Sequence, residues 1–297
     1  MKRWLRKNLK HYLMLTPFLL FFSIFFLYPI FKGFYISFFR WDAVHAPEFV
    51  GLGNYISVAK SNDFTKSFIN LFKYVAITVP LGILLAFLIV LLVDSFKGFF
   101  SSFFRSAYFI PTMIPLFLAA SVWRWMFTPE IGIINTALSW LGLTPVNWLL
   151  DPKVMIFSLV IVDNWRSVGF NMVILLAGLK NIPGEYYDAA KVDGANKFQE
   201  VIYVTIPQLR PVLFFTIVYG YISALQVFDA PWLMTASSYS TYGGRLKGLL
   251  FPVMDMMGRA FGTLRFGQAA AYGFMLTVMI LIVTAILFFL QRKTGEE

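Results

Sequence analysis

There is no cysteine among the 297 residues, there are only two histidines, and just 13% of the side chains are charged. Each scarcity removes a class of chemistry. Without thiols there are no disulfides, no thiolate nucleophile and no Cys-ligated metal. His11 and His45 stand far apart near expected membrane boundaries, so no His cluster has metal-ligand spacing. No Gly-x-x-x-x-Gly-Lys-Ser/Thr phosphate loop occurs. Nor is there a grouping of nucleophile, base and metal ligands, which argues against a membrane enzyme. The charge deficit says most, because soluble domains carry about 25% charged residues.

What fills the space is apolar. Hydrophobic residues make up 59% of the chain, 34 of them Phe, and the mean hydropathy is +0.71. A bilayer accounts for this surplus, since side chains facing lipid must be as apolar as those facing the interior. A membrane helix needs about 20 predominantly apolar residues. Six stretches qualify: 12–37, 69–93, 106–127, 154–179, 211–233 and 269–290. Pro111 and Pro115 should bend the third near its start. The first stretch is too long for a removable signal peptide and lacks a small-residue cleavage site. The expectation is an all-α polytopic membrane protein with six transmembrane helices, read as one domain over 1–297.

Five of the first ten residues are Lys or Arg, which places the N-terminus in the cytoplasm. Six spans then put the C-terminus there too, along with 94–105 and 180–210, and leave 42–66 and 237–259 outside. A net charge of +10 on a soluble protein would raise nucleic-acid binding, but here the basic residues gather at segment ends, where anionic head groups attract them. The expected partner is membrane lipid, not nucleic acid.

One inner loop is longer and more hydrophilic than a connector requires. It runs from Lys180 to Arg210. Asn181 suits an N-cap and Pro183 a first turn, with Glu185 and Asp188 near the positive end of the helix dipole. Gly194 can stop that helix after Val192. A second short helix should start near Ala195 and stop before Pro207. On composition alone, an interfacial connector is as good a reading as a docking element.

The spacing Asp188-Ala189-Ala190, three residues, Gly194, nine residues, then Val204-Thr205-Ile206-Pro207 closely resembles the EAA signature of binding-protein-dependent ABC importer permeases. Asp188 stands where that pattern prefers Glu. Further segments, among them Phe49-Val-Gly-Leu-Gly-Asn-Tyr55, Ala177-Gly-Leu-Lys-Asn-Ile-Pro183 and Val227-Phe-Asp-Ala-Pro-Trp-Leu-Met-Thr235, look like the maltose-type sugar permease family. The resemblance weakens over 236–262, where Gly243-Gly244 comes late and lacks the family's following Pro.

That resemblance implies a type I ABC importer permease fold. It also implies a complex with a second homologous permease subunit, two cytoplasmic ATPase subunits and an extracytoplasmic solute-binding protein. ATP and Mg would sit on the ATPase partners, leaving this chain with no cofactor and no catalytic residue. Glu185, Asp188, Ala189, Ala190, Gly194 and Pro207 would form the element that couples to the ATPase. The family's sugar-lining positions fall on Asp163, Arg166, Ser167 and Phe170 in the fourth span and on Gly220, Ser223, Ala224 and Val227 in the fifth. Independently of any family, Asp163 and Arg166 are charges inside a membrane helix, which usually face an aqueous cavity. Three residues apart, they can share a face and partly neutralise each other. Tyr219, Tyr221, Gln226, Asp229 and Trp232 are weaker candidates.

The rival class is an ion-coupled secondary transporter or a channel subunit. It would call for internal repeats or chains of intramembrane carboxylates, and the sequence shows neither. A polyol or glycerol phosphodiester remains an alternative to sugar as the solute.

Overall fold

The computed structural model describes residues 13–235 and 242–295, so the basic cluster Met1–Lys10 and residues 236–241 lie outside the described residues. The chain forms two compact units, one of residues 1–61 with 256–277, the other of residues 62–255 with 278–297.

In the first unit, α1 (Leu13–Ile36) is long and apolar enough to cross a membrane. Phe18, Phe22 and Phe26 stack along it at one-turn spacing, as do Phe21 and Phe25, all of them exposed. A π turn, Ser23–Leu27, interrupts it just before Pro29. The wider coil relieves the clash a proline ring would make with the carbonyl four residues earlier. The chain then makes a two-stranded antiparallel hairpin, β1 (Phe39–Arg40) and β2 (Glu48–Phe49), followed by α2 (Gly53–Ala59). The buried Asn54 amide donates to the carbonyls of Ser37 and Phe39, both at 2.8 Å, and so fixes the hairpin to α2.

At the hairpin tip, Asp42 accepts from the backbone N–H groups of Val44 and His45 at 3.0 and 2.8 Å, while His45 Nδ1 donates to its other oxygen at 2.6 Å. These bonds hold the Asp42 carboxyl well below the usual range, the His45 backbone bond being the largest cause. The hydrogen bond to Asp42, and then its charge, push the imidazole up.

The second unit is built on α3 (Asn62–Ser95), α4 (Phe99–Met113), α5 (Leu116–Met126), α6 (Ile133–Trp140) and α7 (Met155–Lys180). The core is a seam of α3 and α7, where Ala86, Val90 and Val93 meet Met172, Leu175 and Leu176. Lipid tails are as apolar as these side chains, so close fit rather than escape from water holds the seam. Gly169 shows how close. A Cβ built there would lie 2.1 Å from the Tyr108 carbonyl oxygen of α4, so only glycine lets the two backbones meet. Thr112 Oγ1 adds a 2.8 Å bond to the Arg166 carbonyl. Asn135 makes four hydrogen bonds, to Pro129, to Val146 twice and to Trp148 Nε1, and so staples the connection between α6 and α7.

The expected third span differs from a single bent helix. α4 and α5 meet at 95°, and the break falls in the middle of the expected span. Pro115 is the cause: it forces Ile114 into an extended backbone (φ −74°, ψ 126°), and the helix cannot propagate through that geometry. Pro111, in contrast, is absorbed within α4. Among the described residues the membrane inventory is therefore five long apolar helical spans plus this broken pair.

The inner loop also departs from expectation. Asn181 ends α7 rather than capping the next helix, and Pro183 stands at the N-cap of α8 (Gly184–Val192). After α9 (Lys197–Glu200), the helix does not stop before Pro207. It continues through a π turn, Val201–Thr205, into α10 (Ile206–Leu225). As at Pro29, the π turn makes room for the proline. α10 is interrupted at Gln226–Phe228 before α11 (Asp229–Thr235), and the stretch Lys197–Thr235 still counts as one of the five spans. The last helix is α12 (Phe266–Gly295).

Two outcomes test this packing. Gly169→Ala should cost about 1–3 kcal/mol through overpacking against α4, read as a lower unfolding temperature in detergent, whereas Gly184→Ala, with open space around it, should not. Asp42→Asn should lower the His45 titration midpoint toward about 6.5, followed by NMR. The sign follows from the raised pKa. The pair's contribution through His45 is full below the unfolded pKa and disappears as pH rises through the folded one.

Candidate functional site

The second unit encloses a cavity of about 320 Å³, and helices α3, α7 and α10 supply most of its wall. α7 contributes Asp163, Arg166, Ser167, Phe170 and Asn171, and α10 contributes Tyr219, Gly220, Ser223 and Ala224. The break after α10 places Gln226, Val227 and Asp229 on the same wall. All eight residues expected along the solute path therefore converge on one space, although they come from two segments some fifty residues apart. Of the weaker candidates, Tyr219, Gln226 and Asp229 join them, while Tyr221 lines a separate apolar recess.

The charges are arranged differently from a simple pair. Asp163 and Arg166 make no direct ion pair among the described residues. Asp163 instead accepts from Thr78 Oγ1 of α3 at 3.4 Å, and Thr78 in turn accepts from Asn164 Nδ2 at 3.0 Å. Arg166 Nε is buried without a hydrogen-bond partner among the described residues, as is Asn164 Oδ1. Orphaned polar atoms are rare in native interiors and cluster where function needs them. Phe170 and Tyr219 sit with ring centroids 5.4 Å apart across the α7–α10 contact. A wall that combines hydroxyls, amides, two carboxylates, a guanidinium and aromatic faces suits a polyhydroxylated solute. Tyr74, Thr78 and Thr112 were not foreseen. Their signal is weak: isolated hydroxyls in apolar runs, which sequence cannot separate from structural hydroxyls.

The second group of expected residues lies on α8 and its neighbours. Glu185, Asp188, Ala189 and Gly194 are exposed, and Ala190 is half-buried. Gly194 adopts φ +79°, and a Cβ there would meet open space, so the turn geometry demands glycine. Ala195 N–H bonds the Ala190 carbonyl at 2.9 Å and Gly194 N–H the Lys191 carbonyl at 3.0 Å, a complete Schellman ending. Asn196 then caps α9 reciprocally with Gln199. Tyr187 OH and Thr205 Oγ1, 3.1 Å apart, tie α8 to the π turn ahead of half-buried Pro207. The result is a short rigid helix that presents small side chains and Asp188 outward. Asp188 accepts from Lys191 Nζ at 2.9 Å, and this bond, with the carboxylate's charge, pushes the Lys191 amine up.

Residues 50–296 match the family of binding-protein-dependent transport system inner membrane components. The chain belongs to that family. It is 36% identical to the trehalose/maltose transport system permease protein MalF of Thermococcus litoralis, over 75% of this chain and 76% of the relative. It is 32% identical to the arabinooligosaccharides transport system permease protein AraP of Bacillus subtilis, over 94% of this chain and 88% of the relative. In fold it superposes with a TM-score of 0.86 and 20% identity on a crystal structure of a bacterial ABC transporter involved in import of the acidic polysaccharide alginate, covering 99% of both chains. The permease fold anticipated from the EAA-like loop is thus the fold observed.

The cavity makes a direct expectation. In this cysteine-free chain, Ser167→Cys and Ser223→Cys should react with a water-soluble thiol reagent in at least one transport state. Phe157→Cys, on the exposed apolar face of α7, should stay unreactive. Labelling is read by mass shift.

Proposed function

We propose that this permease forms the solute path of an ATP-driven, solute-binding-protein-dependent importer of a carbohydrate, and that α8 couples it to a separate ATPase. One observation carries the reading: an outward-presented, small-residue helix with the EAA-like spacing belongs to the same compact unit as a polar cavity among the membrane helices. The relatives named for trehalose/maltose and arabinooligosaccharide transport support carbohydrate as the class. The polyhydroxyl-compatible wall of the cavity points the same way.

In this reading a second homologous permease faces the chain, and two ATPase subunits bind ATP and Mg on the cytoplasmic side. A solute-binding protein delivers the sugar from outside. The complex of the alginate importer with its pentasaccharide-bound periplasmic protein is a precedent for that delivery. α8 enters a cleft of one ATPase, with Asp188 meeting a basic group and Ala189, Ala190 and Gly194 permitting close approach. Closure of the ATPase pair pulls α8, and the Tyr187–Thr205 tie passes the displacement to α10, which forms one wall of the cavity. Alternating access is then a population shift driven by the different affinity of nucleotide for the two ATPase arrangements. Both termini lie in the cytoplasm.

Ala189→Trp should leave insertion intact yet abolish co-purification of the ATPase and uptake, because a bulky ring cannot enter a close-fit contact. Normal recruitment and uptake would refute the docking role. Uptake of radiolabelled maltose, an arabinooligosaccharide, a polyol and a glycerol phosphodiester by the reconstituted complex decides the solute class. Uptake of the last two alone would overturn carbohydrate.

A further inference from the structure

We propose that Lys191 is an exchangeable cation that neutralises Asp188 in the free permease and moves onto Glu200 when a basic group of the ATPase takes Asp188. This inference rests on the coupling role proposed for α8 and concerns how that docking is kept reversible.

Four charges of the loop fall into two ion pairs: Asp188 with Lys191, and Lys197 with Glu200. Asp188 and Lys191 are joined at 2.9 Å, Lys197 and Glu200 at 2.7 Å, each pair three residues apart on its own helix. The pairs differ in setting. Asp188, Lys191 and Lys197 are exposed, whereas the Glu200 side chain is only 8% exposed. Lys191 joins Lys197 and Glu200 in lining a cavity of about 540 Å³ between α8 and the membrane helices, and Asp188 does not line it. Lys191 therefore stands on the rim, its ammonium turned outward to Asp188 with Glu200 on the inner side. Glu200's charge already contributes to holding the Lys191 amine up. A carboxylate has about four acceptor positions, so the single Lys197 bond leaves Glu200 room for a second cation.

The physical need is plain. A partner's basic group approaching Asp188 meets Lys191 first, and two cations sharing one exposed carboxylate repel. If Lys191 had nowhere to go, docking would cost the Asp188–Lys191 pair outright. Glu200 gives it a destination within the same cavity wall. The cavity supplies the volume for the movement, and the Asp94–Lys180 ion pair, joining the ends of α3 and α7, bounds it on the membrane side. Lys191 is thus a positioning residue for docking and touches no solute.

The test is a mutant cycle on ATPase affinity, using the permease pair in nanodiscs titrated with its co-purified ATPase. Glu200→Gln should weaken binding about two- to five-fold, the range of an exposed ion pair. Lys191→Met should bind near wild-type affinity, and so should the double variant, because without Lys191 no landing site is needed. An undiminished Glu200→Gln effect in the Lys191→Met background would overturn the exchange. A second measurement needs no mutation: zero-length carbodiimide coupling read by mass spectrometry. The free permease should give the 188–191 amide, and the ATPase-bound complex the 191–200 amide. Persistence of 188–191 in the complex would also overturn it. The Ala189→Trp control separates the two levels. If that variant still recruits the ATPase, the docking role itself fails. If it does not, while the cycle is additive, only the exchange fails.

Discussion

A proline inside a helix frees the carbonyl four residues earlier, a group that has no water to turn to within a bilayer, and the architecture of this permease follows from where a helix absorbs the ring and where it does not. At Pro29 and Pro207 a π turn widens the helix just ahead of the ring, and the helix runs on. At Pro115 nothing widens. Ile114 goes extended, its N–H reaches back to the Pro111 carbonyl at 3.2 Å, and the chain turns through 95°. The turned segment brings Leu116 to the cavity, and the straight segment before it lies against α7 at Gly169. One unresolved proline thus helps to enclose a polar space within the membrane helices.

The cavity and α8 are linked by rigid elements rather than by loops. α7 contributes Asp163 and Arg166 to the cavity wall and ends at Lys180, only a few residues before α8 begins. α10 starts at the π turn that Tyr187 holds and contributes Tyr219 to the same wall. The local hydrogen bonds of the loop, a Schellman ending followed directly by a capping box, leave little freedom between α8 and α9. A displacement at Ala189 would therefore reach helices that line the cavity.

How much of this was legible in the sequence depends on the kind of signal. Span number and type followed from long apolar runs, because lipid imposes a composition that no soluble fold matches. α8 and its Gly194 stop were readable because a left-handed turn needs glycine. The eight residues expected along the path line one cavity, and it was the family pattern that grouped them. Of the eight, residue chemistry alone singled out just Asp163 and Arg166, and it suggested a pair, whereas the Asp163 carboxylate accepts from Thr78 of α3. Breaks were the least legible. Pro111 and Pro115 look alike in sequence, yet only one breaks the helix, and Pro207 reads as a stop although a π turn carries the helix past it. At Pro115 the difference lies in the extended Ile114 and at Pro207 in the π turn ahead of the ring, neither of which a single residue type announces.

The π turn Val201–Thr205 has a consequence for angular phase. A π turn holds one more residue per closed hydrogen bond than an α turn, and each residue advances an α-helix by about 100°. Everything before the turn is therefore rotated by roughly that amount relative to everything after it, compared with an uninterrupted helix. The single extra residue acts as a setting between two faces. It decides which side of the loop α8 occupies while Tyr219 and Ser223, further along, point into the cavity. A chain one residue shorter here would keep both elements and aim them in different directions.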